Sequence, residues 1–153
     1  MNKRTALALA AFLAIGIALP GPTIAQNYPQ SVSQLVSATK KQVKTIDMVA
    51  LRSALDRGDA GILVDVREPG EYAEGHVPGA VNVPRGLLEF TIWNHVGYPD
   101  KTDMNAKLVV YCRTGGRGAL AAKSLMDLGF TNVTLVDMKI DDWTKAGYPV
   151  AKG

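Results

Sequence analysis

A second cysteine is missing from this chain of 153 residues, and Cys112 stands alone. That excludes an intramolecular disulfide framework. A hydrophobic run long enough to cross a bilayer is missing too. The apolar stretch at residues 6–19 falls short of the roughly 20 residues a span needs, and Pro20, Gly21 and Pro22 stop it at once. Charge of one sign is scarce: 17 Lys and Arg face 14 Asp and Glu. A nucleic-acid footprint is not expected from that balance. No internal repeat is visible. What is there is 47% apolar and 20% charged, the balance of a globular domain with a core. The length suggests one such domain.

The start of the chain has its own logic. Asn2-Lys3-Arg4 opens it with positive charge, the apolar run follows, and Thr23-Ile24-Ala25 offers small residues before Gln26. This is the order of a secretory signal peptide, so residues 1–25 are expected to be removed near Ala25. The remainder is then expected to be periplasmic or secreted. The residue directly after that point is Gln26 rather than a lipid-bearing cysteine, so no stable membrane anchor is expected. Removal takes Lys3 and Arg4 with it and lowers the basic count from 17 to 15 against 14 acids. The sequence pI of about 9.0 therefore belongs partly to the leader. Residues 26–44 read as a polar N-terminal arm with some helix over 32–40, and residues 45–150 as the globular domain.

Elements alternate along that domain. Asp47 is placed to cap a helix over 48–57, with Met48, Leu51 and Leu55 on one face and Gly58 just past the end. Residues 62–66 form a short apolar run bounded by Gly61 and by charges, which reads as a buried strand. Pro69 suits the first turn of a short helix holding Glu71 and Tyr72. Strands are expected at 80–83, 108–111 and 133–136. Helices are expected at 87–93 and 117–128, the latter closed by Gly129, and a last short helix carries Trp143. Strands alternating with helices imply βαβ units, hence an α/β fold with a mainly parallel sheet covered by helices on both faces. Ligands of such sheets sit beyond the carboxyl ends of the strands, which is where Cys112 follows strand 108–111.

The loop Cys112-Arg113-Thr114-Gly115-Gly116-Arg117-Gly118 carries the chemistry. Gly115 and Gly116 permit positive φ and close backbone approach. Such a strand-to-helix turn can aim successive N–H groups at one point, and the helix adds its positive end. Arg113 and Arg117 are expected to add two charges. This setting favours a thiolate, the form that acts as nucleophile, and would equally stabilise a persulfide anion. A lone cysteine after a strand can instead be a small buried hydrophobe, but Gly and Arg neighbours argue against that here.

Four motifs in order resemble the rhodanese family: L-V-D-V-R-E-P-G-E-Y at 63–72, G-H-V-P-G-A-V-N-V-P at 75–84, V-V-Y-C-R-T-G-G-R-G-A at 109–119 and W-T-K-A-G-Y-P-V at 143–150. The chain looks like a single-domain rhodanese similar to the periplasmic members. The resemblance implies a central five-stranded, mainly parallel sheet. It implies that Cys112 is catalytic, with Arg113, Thr114, Gly115, Gly116, Arg117 and Gly118 binding substrate. It implies a sulfurtransferase that takes a sulfane sulfur from thiosulfate and passes it to cyanide or a thiol. No metal or organic cofactor is expected, and the identity of any protein thiol acceptor stays open. The chain departs from the family at Met138 and Lys139, where many rhodaneses carry Gly-Gly.

Other residues read more plainly. Arg67 is expected in a structural ion pair with Glu71 rather than in the anion site. His76 is expected to fix a turn, and Trp143 to sit in the core. Trp93, His95 and Tyr98 fall in an irregular stretch. Two other function classes compete. A cysteine phosphatase or arsenate reductase would show Cys, five residues, then Arg, yet five residues on from Cys112 end at Arg117 and Gly118 follows. A non-enzymatic persulfide carrier would use the same loop.

Overall fold

Residues 28–153 are described in a computed structural model, and the expected leader at 1–25 lies outside them. The polar arm holds more structure than its composition suggests. Residues Gln30–Lys40 form helix α1, and Lys44–Ile46 form strand β1. Helix α2 covers Met48–Asp56, and the Asp47 carboxylate caps it by accepting the Ala50 N–H at 2.8 Å. Strand β2 is Ile62–Asp65 and helix α3 is Pro69–Glu74. A capping box between Glu68 and Glu71 starts α3, with Pro69 inside its first turn. Strand β3 is only Val81–Asn82.

The helix expected at 87–93 is broken into a 3₁₀ turn at Arg85–Leu87, a short α4 at Leu88–Thr91 and a second 3₁₀ turn at Ile92–His95. Leu88 and Ile92, both fully buried one turn apart, produced the helical signal. Strand β4 is Leu108–Tyr111, helix α5 is Gly116–Asp127, strand β5 is Val133–Val136 and helix α6 is Ile140–Lys145.

The five strands form one sheet in the order β1-β5-β4-β2-β3. Every pairing is parallel. Alternate side chains of the strands feed two cores. Val64, Leu108, Val110 and Leu135 pack with Leu88, Ile92, Ala119, Ala122 and Leu125 on one face. Leu63, Val109, Tyr111 and Val136 pack with Leu51, Ile140 and Trp143 on the other. Helices on both faces are thus required by strands apolar on both sides. No helix among the described residues is long and apolar enough to cross a membrane.

Candidate active site

Cys112 follows β4 immediately and keeps the parity of Leu108 and Val110, so it joins the core beneath α5. It is only 1% exposed. The thiol therefore lies below the loop that follows it rather than at an open mouth. Gly115 takes φ 84° and caps α5, and it is the only positive-φ residue of the loop. Gly116, expected to share that freedom, is simply the first residue of the helix. Gly118 is required for a different reason. A Cβ there would stand 3.0 Å from Leu135 Cδ1 and 3.6 Å from the Cys112 backbone nitrogen, so the helix presses against the ends of β4 and β5.

The N–H groups of Arg113, Thr114, Gly115, Gly116, Arg117 and Gly118 donate to no backbone carbonyl or side chain among the described residues. The first turn of a helix leaves such donors without internal partners, and the loop before it extends the set. The loop is pinned at its near end, where the Arg113 carbonyl accepts the Ile140 N–H at 3.0 Å. The α6 start thereby anchors the cradle.

The two loop arginines do not behave alike. Arg117 is held by both oxygens of Glu71, with Nη1–Oε2 at 2.6 Å and Nη2–Oε1 at 2.8 Å. That bond holds the Glu71 carboxyl down at about 2, and it raises Arg117 above its ordinary value against the opposing effect of burial. Arg113 is half exposed and lies 3.7 Å from Asp141. Two charges were expected beside the loop; Arg117 is clamped by Glu71, and Arg113 is only loosely paired with Asp141.

The ion pair expected between Arg67 and Glu71 is replaced. Arg67 and Asp65 straddle the end of β2 with Val66 between them, so their side chains share one side of the chain. Arg67 Nε and Nη2 donate to Asp65 at 3.0 and 2.6 Å, and Nη2 also reaches the Gly75 carbonyl at 2.8 Å. Burial works against the Arg67 charge, but the Asp65 hydrogen bonds and carboxylate outweigh it. Glu71 is thereby left to Arg117. This pair is buried, as are His76 and Trp143. His76 stacks on Tyr72 at 3.6 Å between ring centroids, with Nδ1 at 3.0 Å from the Tyr72 carbonyl. Trp143 is fully buried and donates to the Pro149 carbonyl at 2.8 Å.

A cleft of about 990 Å³ opens above the loop. Arg113, Thr114, Gly116 and Arg117 form its floor, with Glu71 and Leu120 beside them. Helix α1 supplies the opposite wall through Val32, Ser33, Val36, Ser37 and Lys40. Trp93, His95 and Tyr98 do not line it. The sequence motifs do not point to Lys40 or to its partner Asp137, whose bridge of 2.6 Å joins α1 to the segment after β5. The family departure is also placed. Met138 is buried in the core with Leu51 and Trp143, whereas Lys139 is exposed at the start of α6. No group of His, Cys, Asp and Glu among the described residues is arranged to hold a metal ion.

Residues 47–146 match the family described as Rhodanese-like domain. A thiosulfate:glutathione sulfurtransferase of Saccharomyces cerevisiae is 37% identical over 95 residues, a match covering 56% of this chain and 66% of that one, just short of two thirds of its length. A sulfurtransferase of Allochromatium vinosum is 30% identical over 108 residues, covering 71% of this chain and 94% of that one. Among solved structures, a protein from Rhodopseudomonas palustris described as of unknown function and a possible tyrosine phosphatase superposes with a TM-score of 0.68 at 27% identity, covering 82% of this chain and 98% of that one. With the family match spanning most of the chain and an all-parallel five-stranded sheet behind the cysteine loop, this protein belongs to the rhodanese-like family.

Proposed function

We propose that the protein is a sulfurtransferase in which Cys112 carries the sulfur. The observation that carries this reading is the run of six N–H groups from Arg113 to Gly118, without partners among the described residues, above a buried thiol. Such a nest suits a compact anion, and a persulfide is one. The Cys112 thiolate attacks the outer sulfur of thiosulfate. The sulfur–sulfur bond breaks, its electron pair leaves with sulfite, and Cys112 persulfide remains. Cyanide or a thiolate then attacks the outer persulfide sulfur, and the Cys112 thiolate leaves. Arg113, exposed and loosely paired, attracts the anionic donor, while Arg117 and Glu71 brace the loop. The segment 1–25 supports work outside the cytoplasm after cleavage.

The phosphatase described for the Rhodopseudomonas palustris neighbour is the rival. The phosphatase pattern needs an arginine where this chain has Gly118, and any side chain there would crowd Leu135. Intact-mass spectrometry separates the readings. Thiosulfate should add one sulfur atom to the wild type, removable by cyanide and absent in Cys112→Ala. Failure of every sulfane donor to add sulfur, or hydrolysis of p-nitrophenyl phosphate that depends on Cys112, would refute the proposal. Mass gain without steady turnover of thiosulfate and cyanide would mark a carrier instead of an enzyme.

A further inference from the structure

Helix α1 lies outside the segment that matches the family, yet it forms one whole wall of the cleft above Cys112. Its last residue, Lys40, reaches over the loop. A Cβ built on Gly115 would stand 3.2 Å from Lys40 Nζ and 2.3 Å from Asp137 Oδ1, so the Lys40–Asp137 bridge lies directly against the apex of the cradle. The Lys40 side chain is 29% exposed. Its ammonium has three donors and uses one on Asp137, leaving two for a ligand.

The cleft is too large for cyanide. Volumes of roughly 300–1,000 Å³ enclose organic molecules of many atoms, and this one reaches about 990 Å³. Val32, Val36 and Leu120 give it an apolar strip, with Lys40 at one end of that strip and the loop at its base. Of the other cations around it, Arg117 has its charge met by a two-pronged bond to Glu71, and Arg113 lies on the loop itself, 3.7 Å from Asp141.

We propose that Lys40 is a specificity-determining residue that binds the anionic group of an organic thiol acceptor, with Asp137 as the positioning residue that holds it. This rests on Cys112 carrying the transferred sulfur. The Asp137 carboxylate both fixes the ammonium and offsets its charge. Removing the two partners therefore moves acceptor binding in opposite directions, whereas a bridge that merely clamps α1 would respond alike to either loss.

The test uses the wild-type chain and its variants, preloaded as the Cys112 persulfide with thiosulfate. Discharge is followed by intact mass against 3-mercaptopropionate (anionic), 2-mercaptoethanol (neutral) and cysteamine (cationic). Differences in thiol reactivity cancel in the ratio of variant to wild type. Lys40→Ala should raise the half-saturating concentration of 3-mercaptopropionate roughly 5- to 10-fold, the scale of a partly exposed charge-assisted hydrogen bond, and leave 2-mercaptoethanol unchanged. Lys40→Arg should restore the wild-type value, and Asp137→Asn should lower it. Lys40→Met keeps the aliphatic stem and gives the same readout if Ala loosens the helix. Equal shifts for all three thiols, or weaker use of the anionic thiol in both Lys40→Ala and Asp137→Asn, overturn the proposal. A wild type that forms persulfide but discharges it to the three thiols without any Lys40-dependent preference does so too. A wild type that takes up no sulfur removes the sulfur-transfer reading itself, and this proposal with it.

Discussion

At the residue scale, the charges around Cys112 come as couples. Arg117 has Glu71, Lys40 has Asp137, and Arg113 has a distant Asp141. The strongest of these titrates. Glu71 sits at about 2, below the usual carboxylate range, first because Arg117 donates to it. A carboxylate lowered on folding contributes stability that is complete above its unfolded value and disappears as the pH falls through its folded one. The stability difference between wild type and Glu71→Gln should thus be full at neutral pH and close as the pH drops from the ordinary carboxylate range toward about 2. Urea midpoints across that interval measure it, and a constant difference would refute the assignment. The loop residues stand out in the sequence because they are contiguous and of types suited to holding an anion. Their partners do not. Glu71 is 46 residues from Arg117, and Asp137 is 97 from Lys40. Spacing along a chain cannot reveal which carboxylate a fold delivers, and it misled at Arg67, where Glu71 sits at helical spacing but Asp65 shares the strand end.

At the element scale, the joint between β4, β5 and α5 fixes the loop. Gly116 and Gly118 look equivalent in the sequence and differ in space. A Cβ at Gly116 would meet Val36 at 3.8 Å, an ordinary contact, while one at Gly118 would already crowd Leu135. Gly116→Ala should therefore melt with the wild type. Gly118→Val should lose roughly 1–3 kcal/mol through overpacking and load sulfur poorly, since α5 must back away from Cys112. Thermal melts and mass gain after thiosulfate check both. Most elements were readable where apolar runs are long: β4, β5, α2 and α5 lie within a residue or two of expectation. Strand β1 was not, because Lys44–Ile46 has two exposed residues out of three and no apolar signature of its own. Its place is set by the free edge of β5. Helix α1 was half read, since its polar composition hid the wall it makes for the cleft.

At the scale of the whole molecule, the sheet is closed at one edge by the N-terminal segment. Starting the chain at residue 47 would strip β1 and leave β5 as an open edge. Starting it at residue 42 would remove α1 alone. The shorter chain should melt lower and self-associate, and the longer should keep the cooperative fold while losing the cleft wall. Light scattering and thermal melts distinguish them, and equal behaviour would mean β1 contributes nothing. Since β1 pairs with β5 in register from Lys44 to Thr134, the beginning of the domain has no partner until its last strand exists. Contacts so far apart in sequence form slowly. Asp137, the partner of Lys40, comes just beyond that last strand. The order of assembly therefore leaves the roof of the cleft for the end: the loop after Cys112 gains its α1 wall only once β5 and Asp137 are in place.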